Sequence, residues 1–289
     1  MNYLHHYHAG NFADVWKHAL LIPILRALQR KEKGLLFLDT HAGRGSYDLA
    51  TATQGDSLER RAEFPDGIGR LWRAESLLPS LADYVETVKR FDRSRGNAED
   101  APRFYPGSPR LAHLYLRPQD RLAACELHPT EFAALEDEFF REKGVSLHHL
   151  DGYTAVRAML PPLEKRALVL IDPPFEQQDE FARILGALAE SQRRLPSATV
   201  VVWYPLTQRA RADEFLQEVR IARRAPAFTA EIWIAGEFSN LKMRGCGLLV
   251  VNPPWQIDRE LEPIMQALLP ILRQDPGAGV NLQWLVEEK

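Results

Sequence analysis

The chain has 289 residues, of which 45% are hydrophobic and 26% charged, as in an ordinary globular protein with one large α/β domain or two small ones. No apolar run approaches the length of about 18 residues that spans a membrane, and the N-terminus lacks the apolar core of a signal peptide, so we expect a cytoplasmic protein without membrane contact. The net charge of -3 excludes a global basic surface, so contact with a nucleic acid must come from a local basic patch.

The first predicted elements are a helix, a short strand and a turn. Apolar residues at helical spacing predict a helix over residues 12–32, which Pro23 should perturb and Gly34 should end. Residues 35–38 then form a strand, and residues 39–45 (Asp-Thr-His-Ala-Gly-Arg-Gly) form a turn whose glycines let the backbone approach a ligand.

Residues 46–110 do not continue an alternation of strands and helices. They contain two helical stretches, a polar loop and, after it, Pro102, Pro106 and Pro109. We interpret them as a helical subdomain inserted into a main domain formed by residues 1–45 and 111–289. The many arginines and lysines of this segment are nearly balanced by acidic residues, which favours a solvated surface, and a basic face for RNA is the alternative.

The rest of the chain alternates between strands and helices. After the first strand at residues 35–38, four more strands are predicted, at residues 122–125, 145–150, 167–171 and 199–203, so that residues 167–171 are the fourth. Helices are predicted between and after them, at residues 130–142, 153–160, 178–194 and 207–224. Residues 228–234 and 247–251 close the sheet as a hairpin, and a last helix follows near 257–273. This order predicts an α/β fold with a doubly wound, mostly parallel sheet.

Each early strand ends in an acidic residue, at the edge of the sheet where ligands bind. The turn that begins at Asp39 resembles the Asp/Glu-x-x-x-Gly-x-Gly turn of S-adenosylmethionine enzymes, and it differs from the Gly-x-Gly-x-x-Gly fingerprint of nicotinamide oxidoreductases. Glu126 can accept hydrogen bonds from ribose hydroxyls, and Asp151 can accept one from an adenine amino group. A single acid at a strand end is commonly a helix cap, but three on successive strands indicate a cofactor site.

The fourth strand ends in Asp172-Pro173-Pro174-Phe175. A carboxylate, a carbonyl acceptor and an aromatic ring suit a planar ring that carries an amino group. This is the pattern of methyltransferases that act on the amino group of adenine. In that reaction Asp172 and the Pro173 carbonyl would accept the two hydrogens of N6, and Phe175 would stack on the base.

A second stretch, Asn252-Pro-Pro-Trp255, has the same arrangement after a late strand. Because the acid-tipped strands precede Asp172 directly, we interpret Asp172 as the catalytic residue. We interpret Asn252 as part of a structural turn near the edge of the sheet.

The remaining candidates for metal binding are histidines and cysteines. The N-terminal segment contains His5, His6, His8 and His18. No cysteine accompanies them and no His-x-x-x-His pair lies on the helix, so no metal is expected. Cys125 and Cys246 lie in apolar contexts and are predicted to be reduced packing residues.

The chain as a whole resembles the 23S ribosomal RNA adenine-N6 methyltransferases known as large-subunit methyltransferase J. The resemblance rests on motifs spread over the whole length, namely His8-Ala-Gly-Asn…Ala-Asp-Val-x-Lys-His18, Leu38-Asp-Thr-His-Ala-Gly-x-Gly45, Tyr105-Pro-Gly-Ser-Pro109, Glu126-Leu-His-Pro129, Asp151-Gly152, Ile171-Asp-Pro-Pro174, Trp203-Tyr-Pro205 and Asn252-Pro-Pro-Trp255. It implies a class I S-adenosylmethionine-dependent methyltransferase fold, Rossmann-like, with a helical insertion after the first strand.

The resemblance also implies roles for individual residues. The predicted ligands of S-adenosylmethionine are His18, His41, Ser108, Glu126, Asp151, Gly152 and Asp172. Asp172 is in addition the catalytic residue, and Tyr3, Pro173 and Phe175 meet the RNA substrate. From the residues alone, His18 and His41 fit equally well as structural histidines. The family usually has tyrosine at the position of Phe175, so stacking is kept here and a ring hydroxyl is lost.

The expected partner is 23S ribosomal RNA, bound by a monomer. The motif around Asp172 also serves DNA adenine methyltransferases and protein glutamine methyltransferases, although no obvious region for reading the DNA major groove is present. A non-catalytic RNA-binding module that kept the cofactor fold is a further alternative, and the intact acids argue against it.

Overall fold

The computed structural model describes residues 7–53 and 62–288, so the predicted substrate residue Tyr3 lies outside the described part of the chain. Helix α1 (Phe12–Gln29) begins at Asn11, whose side chain accepts hydrogen bonds from the backbone amides of residues 13 and 14. The helix continues through Pro23 and is buried on nearly every face. The indole of Trp16 donates a hydrogen bond of 3.3 Å to the carbonyl of Ala230, which ties the start of the chain to its C-terminal third.

The sheet of the protein holds eight strands among the described residues. They are β1 (Leu36–Asp39), β4 (Arg121–Cys125), β5 (Val145–His148), β6 (Ala167–Ile171), β7 (Thr199–Pro205), β8 (Ala227–Trp233), β9 (Gly245–Val251) and β10 (Gly279–Val286). Their order across the sheet is β10-β8-β9-β7-β6-β1-β4-β5. Strands β5, β4, β1, β6 and β7 are parallel, so their carboxyl ends meet at one edge.

Strands β8 and β9 pair as the predicted antiparallel hairpin, and β9 also pairs antiparallel with β7. Strand β9 is therefore an internal strand, and the expectation that it lies near the sheet edge was wrong. Because β8 is antiparallel to β9, it runs in the same direction as β7. The edge strand on this side is β10, and β5 forms the other edge. Strand β10 was not predicted, because its residues are half-exposed and begin at Gly279.

Helices cover both faces of the sheet. Besides α1 they are α5 (Ser108–Tyr115), α6 (Pro129–Glu138), α7 (Gly152–Met159), α8 (Glu180–Arg194), α9 (Arg209–Ala222) and α10 (Ile257–Leu272). Helices α1, α5 and α10 contribute to one apolar cluster and α7, α8 and α9 to a second. Alternate residues of β1 enter the two clusters, Phe37 the first and Leu38 the second. The three-layered, doubly wound arrangement confirms the predicted class I methyltransferase fold.

The segment 46–110 departs from a purely helical insertion. It contains β2 (Ser46–Asp48) and β3 (Phe104–Pro106), which form a separate antiparallel pair, together with α2 (Leu49–Thr53), α3 (Ile68–Trp72) and α4 (Pro79–Ser94). Its apolar residues, such as Leu71 and Tyr84, join the same cluster as α1 and α10. The inserted segment and the main sheet therefore share a hydrophobic core on this side.

No helix within the described ranges is long and apolar enough to cross a membrane.

Candidate active site

A cavity of about 960 Å³ opens at the carboxyl ends of the parallel strands. Its size is near the upper end of ligand pockets, so it has room for more than one small molecule. Most of the predicted site residues line it, namely His41, Ser108, Glu126, Asp151, Gly152, Asp172, Pro173 and Phe175. The fold therefore brings together residues that lie up to 134 positions apart along the chain.

Asp172 follows β6 directly and forms an ion pair with Lys17 of α1. The Lys17 Nζ lies 2.5 Å from Asp172 Oδ2 and 2.8 Å from Asp14 Oδ1, and its side chain is only 6% exposed. The other oxygen of Asp14 accepts a hydrogen bond of 2.9 Å from the backbone amide of Gly10. The start of α1 thus holds one oxygen of the Asp172 carboxylate in a fixed position.

The electrostatics of this cluster keep Lys17 charged. Burial alone would lower the pKa of Lys17, but the carboxylates of Asp14 and Asp172 outweigh burial and hold its pKa well above the ordinary value. No role was predicted for Lys17. The signal was present in α1, because a lysine in a helix that is apolar on most faces must be buried and paired.

The other carboxylate oxygen of Asp172 is available to a ligand. Within the described residues, no hydrogen bond reaches Oδ1, and Asp172 lines the cavity. Pro173 is buried beside it and lacks an amide hydrogen, so its carbonyl is the polar backbone group it offers. Asp172 and Pro173 together form a pair of hydrogen-bond acceptors with no competing backbone donor at position 173.

Phe175 lines the cavity and adopts a left-handed backbone conformation with φ of 52°. Its ring packs against Phe181 at 5.1 Å and against Trp203 at 5.8 Å, both in edge-to-face geometry. Positive φ is unusual for a phenylalanine, so the packing of neighbouring rings is needed to hold it. Phe175 is therefore a braced aromatic wall of the cavity.

The glycine-bearing turn after β1 is held by Glu126 at the end of β4. Glu126 accepts hydrogen bonds from the backbone amides of Gly43 (2.9 Å) and His128 (2.7 Å), one on each carboxylate oxygen. Burial raises the pKa of Glu126, although these hydrogen bonds oppose the rise. Each oxygen has a second lone pair, so the oriented carboxylate could still accept hydrogen bonds from a pair of hydroxyls.

Ser108, the first residue of α5, donates a hydrogen bond of 2.7 Å to Asp39 Oδ2. Asp39 is fully buried behind it, and burial raises the pKa of Asp39 to about 7 against the opposing effect of that hydrogen bond. Ser108 lines the cavity and could meet a polar group there. Asp39 thus sets the orientation of the Ser108 hydroxyl.

His41 has a defined protonation state. Burial lowers its pKa to about 4, so the ring is neutral near pH 7. The hydroxyl of Thr40 donates to the carbonyl of Leu170 and lies 2.7 Å from His41 Nδ1. Since the hydrogen of that hydroxyl is already donated to Leu170, the Thr40 oxygen accepts from His41. Nδ1 of His41 therefore carries the proton, and Nε2 remains an acceptor.

Asp151 caps α7 through Thr154 and forms an ion pair of 2.6 Å with Arg183 of α8. Burial opposes the charge of Asp151, but the hydrogen bonds from Thr154 and the Arg183 guanidinium outweigh it and lower its pKa. The same guanidinium lies over the ring of Tyr153, 4.3 Å from its centroid. Arg183 also lines the cavity, although no role was predicted for it.

Gly152 is required by the close approach of two strand ends. A Cβ atom at this position would lie 2.0 Å from the carbonyl oxygen of Thr40. Any side chain would push the turn after β5 away from the turn after β1. The glycine therefore brings Asp151 next to His41 at the cavity wall.

His18 is the predicted cofactor ligand that does not line the cavity. It is fully buried, stacks on Tyr105 at 5.6 Å between ring centroids and shares a hydrogen bond of 2.8 Å with the hydroxyl of that residue. The Tyr105 hydroxyl in turn bonds to that of Tyr84 in α4. The role of His18 as a ligand stays a prediction.

Asn252, the rival of Asp172, lies at the opposite edge of the sheet because β9 is antiparallel to β6 and β7. Val251 pairs with Val200 near the start of β7. The Asn252 side chain donates to the carbonyl of Ala198 at 3.2 Å, and the backbone carbonyl of Asn252 accepts from the Thr199 hydroxyl at 2.8 Å. These contacts confirm that Asn252 belongs to a structural turn.

The charged groups of the inserted segment are mostly paired. Among its described residues, five arginines pair with acids, namely Arg70 with Asp66, Arg93 with Glu86, Arg95 with Glu138, Arg103 with Asp48, and Arg110 with Glu138 and Glu142. This pairing favours a solvated surface over a basic face for RNA. No group of three or more potential metal ligands occurs in the part of the chain that the structure describes.

Known proteins of one family match this chain along its length. Residues 32–286 match the family model described as "Ribosomal RNA large subunit methyltransferase D, RlmJ". Two proteins named "Ribosomal RNA large subunit methyltransferase J", from Escherichia coli (strain K12) and Haemophilus influenzae, are 33% and 34% identical over 288 residues, which is 100% of each chain.

A solved structure agrees with these relatives. The crystal structure of a protein from Legionella pneumophila shares 34% identity, covers 96% of this chain and 98% of its own, and superposes with a TM-score of 0.83. The match of the family model, the two full-length relatives and the site at the carboxyl ends of the strands lead to one conclusion. The chain belongs to the ribosomal RNA large subunit methyltransferase J family.

Proposed function

We propose that this protein transfers a methyl group from S-adenosylmethionine to the N6 amino group of an adenine in 23S ribosomal RNA. Membership of the family makes the chain an S-adenosylmethionine-dependent ribosomal RNA methyltransferase. The observation that carries the choice of an amino group is the Asp172 carboxylate, which lines the cavity together with Pro173. Lys17 holds its Oδ2, and no hydrogen bond from the described residues reaches its Oδ1. We further propose that the protein acts in the cytoplasm as a monomer.

The residues along the carboxyl ends of β1, β4 and β5 fit the cofactor. Glu126 would accept from the ribose hydroxyls, Asp151 from the adenine amino group, and Ser108 and the neutral His41 would meet polar groups at the wall between them. Gly152 would let the backbone come close, and Asp172 would border the reactive end. When bound, S-adenosylmethionine supplies a methyl group on a positively charged sulfur. Eight of the nine described predicted site residues, all but His18, line the cavity, and this supports the proposal.

The residues that follow β6 would position the target adenine. The adenine must leave its stack at a cost of a few kcal/mol, and stacking on Phe175 would return roughly 1–3 kcal/mol. Asp172 Oδ1 and the Pro173 carbonyl would each accept one N6 hydrogen, which aims the nitrogen lone pair away from the ring plane. Lys17 holds Oδ2, so the carboxylate cannot rotate out of this arrangement. After transfer the excess N6 proton leaves through Asp172 or solvent.

The test is methylation of 23S ribosomal RNA that lacks this modification, with labelled S-adenosylmethionine and analysis of the nucleosides. We expect N6-methyladenosine with the wild-type protein and none with Asp172→Asn. The conservative substitution keeps the shape and removes the charge. Duplex DNA and a protein substrate serve as competitors, and methylation of either in place of the RNA would overturn the proposal.

A further inference from the structure

The loop between β8 and β9, residues 235–244, is an unassigned surface beside the active site. Strand β8 runs parallel to β7, so its carboxyl end lies at the same edge of the sheet as Asp172. Four consecutive loop residues, Asn240, Leu241, Lys242 and Met243, line the cavity that Asp172 lines. The loop is therefore a wall of the cavity that is distinct from the predicted cofactor ligands.

Phe238 lies in this loop and is 100% exposed, more than any other large apolar side chain described. A phenyl ring with no packing partner contributes nothing to the core. Lys242, four residues further along the loop, is also exposed and adds a positive charge to it. An exposed aromatic ring and a lysine in one loop that borders a cavity are a combination that binds unpaired bases and phosphates.

The base of the loop is braced. Arg244 donates hydrogen bonds to the carbonyls of Gly236 and Glu237. The carboxylate of Asp275 accepts from the amides of Gly236 (2.9 Å) and Gly277 (2.8 Å). A Cβ atom on Gly277 would lie 2.5 Å from the Cα of Gly236, so the two backbone segments are in close contact. The segment that precedes Phe238 is thus fixed before any ligand binds, which reduces the entropy lost on binding.

Resting on the proposed function, we propose that Phe238 stacks on a base of the substrate RNA that neighbours the extruded adenine, and that Lys242 meets the adjoining phosphate. Extrusion of the target leaves the face of a neighbouring base without a partner. An exposed phenyl ring, carried by a loop with a braced base that borders the cavity, can cover such a face. An RNA partner is favoured over a protein partner because the loop borders the cavity that takes the adenine.

The test compares four variants in steady-state methylation of protein-free, unmodified 23S ribosomal RNA. Phe238→Ala and Phe238→Leu remove stacking, while Phe238→Trp keeps it. Trp255→Ala is the matched control, because Trp255 is 71% exposed and follows β9 at the opposite edge of the sheet. The affinity for S-adenosylhomocysteine, measured by calorimetry, reports whether the cofactor site is intact.

We expect the KM for RNA to rise about tenfold in the alanine and leucine variants, the lower part of the range for loss of one stacked base. The tryptophan variant and the control should match the wild type, and the affinity for S-adenosylhomocysteine should not change. An unchanged KM in Phe238→Ala, or an equal rise in Trp255→Ala, would overturn the inference about the loop. Absence of RNA methylation by the wild-type protein would instead overturn the proposed function.

Discussion

The buried ion pair between Lys17 and Asp172 makes a prediction about both stability and activity. Lys17→Met keeps the length and apolar stem of the side chain and removes its charge. Two carboxylates, Asp14 and Asp172, then lose the cation that lies 2.8 Å and 2.5 Å from them. Asp14 keeps the hydrogen bond from the Gly10 amide, but both carboxylates lose the charge that offsets their largely buried position.

The expected cost follows from that burial. Removal of one partner of a buried pair typically costs about 3–5 kcal/mol, because the remaining charge stays desolvated. With an unfolding entropy of about 2.1 cal/mol/K per residue over 289 residues, this loss lowers Tm by about 5–8 °C. Misplacement of the Asp172 carboxylate by about 1 Å should lower the rate of RNA methylation about 100-fold.

A double-mutant cycle separates the interaction energy of Lys17 and Asp172 from the energies of their other contacts. Urea unfolding of the wild type, Lys17→Met, Asp172→Asn and the double variant gives the coupling energy, which we expect to be about 2–3 kcal/mol. Lys31→Met, at an exposed lysine just after α1, is the control and should change the free energy of unfolding by less than about 0.5 kcal/mol. Additive effects, with coupling near zero, would refute the conclusion that Lys17 holds Asp172.

Three further predictions concern the walls of the cavity. Burial raises the pKa of Asp39 to about 7 from an ordinary 3.8, so its contribution to stability is present at low pH and is lost as pH rises towards 7. Asp39→Asn should remove this fall in the free energy of unfolding, measured between pH 4 and 8. Gly152→Ala should destabilise the fold by about 1–3 kcal/mol through the clash with a backbone carbonyl, whereas Gly186→Ala, in an open helical position, should stabilise it by up to about 1 kcal/mol; equal thermal shifts would contradict this. Arg183→Leu should weaken S-adenosylhomocysteine about tenfold in calorimetry, because Asp151 loses the group that orients it; an unchanged affinity would show that Asp151 is held by its cap alone.

Local signals account for much of what the sequence predicted correctly. Strand β6 was predicted at its observed bounds, since five apolar residues followed by Asp172 have no helical period. Asp39 is the last residue of β1, Glu126 follows β4 directly, and Asp151 comes shortly after β5. The parallel pairing of these strands brings the three acids to one edge. The rival motif at Asn252 could be assigned because chain order already separated it from the early strands.

Features that depend on tertiary contacts were missed. The pairing of β2 with β3 joins segments of three residues each, too short to show a period. The ion pairs of Lys17 with Asp172 and of Arg183 with Asp151 link residues 155 and 32 positions apart, and no local pattern encodes such a distance. The position of β9 inside the sheet likewise depends on its pairing with both β7 and β8, which no local pattern encodes.

The hydrogen bond from Trp16 to Ala230 has a consequence for how the protein is made. The two residues are 214 positions apart, so α1 cannot reach its final place until β8 has been synthesised. At about 5–20 residues per second, helix α1 waits roughly 10–40 s after its own synthesis, exposing apolar faces that later lie in the core. The contacts of α1 with β8, β9 and α10 are therefore completed only near the end of translation.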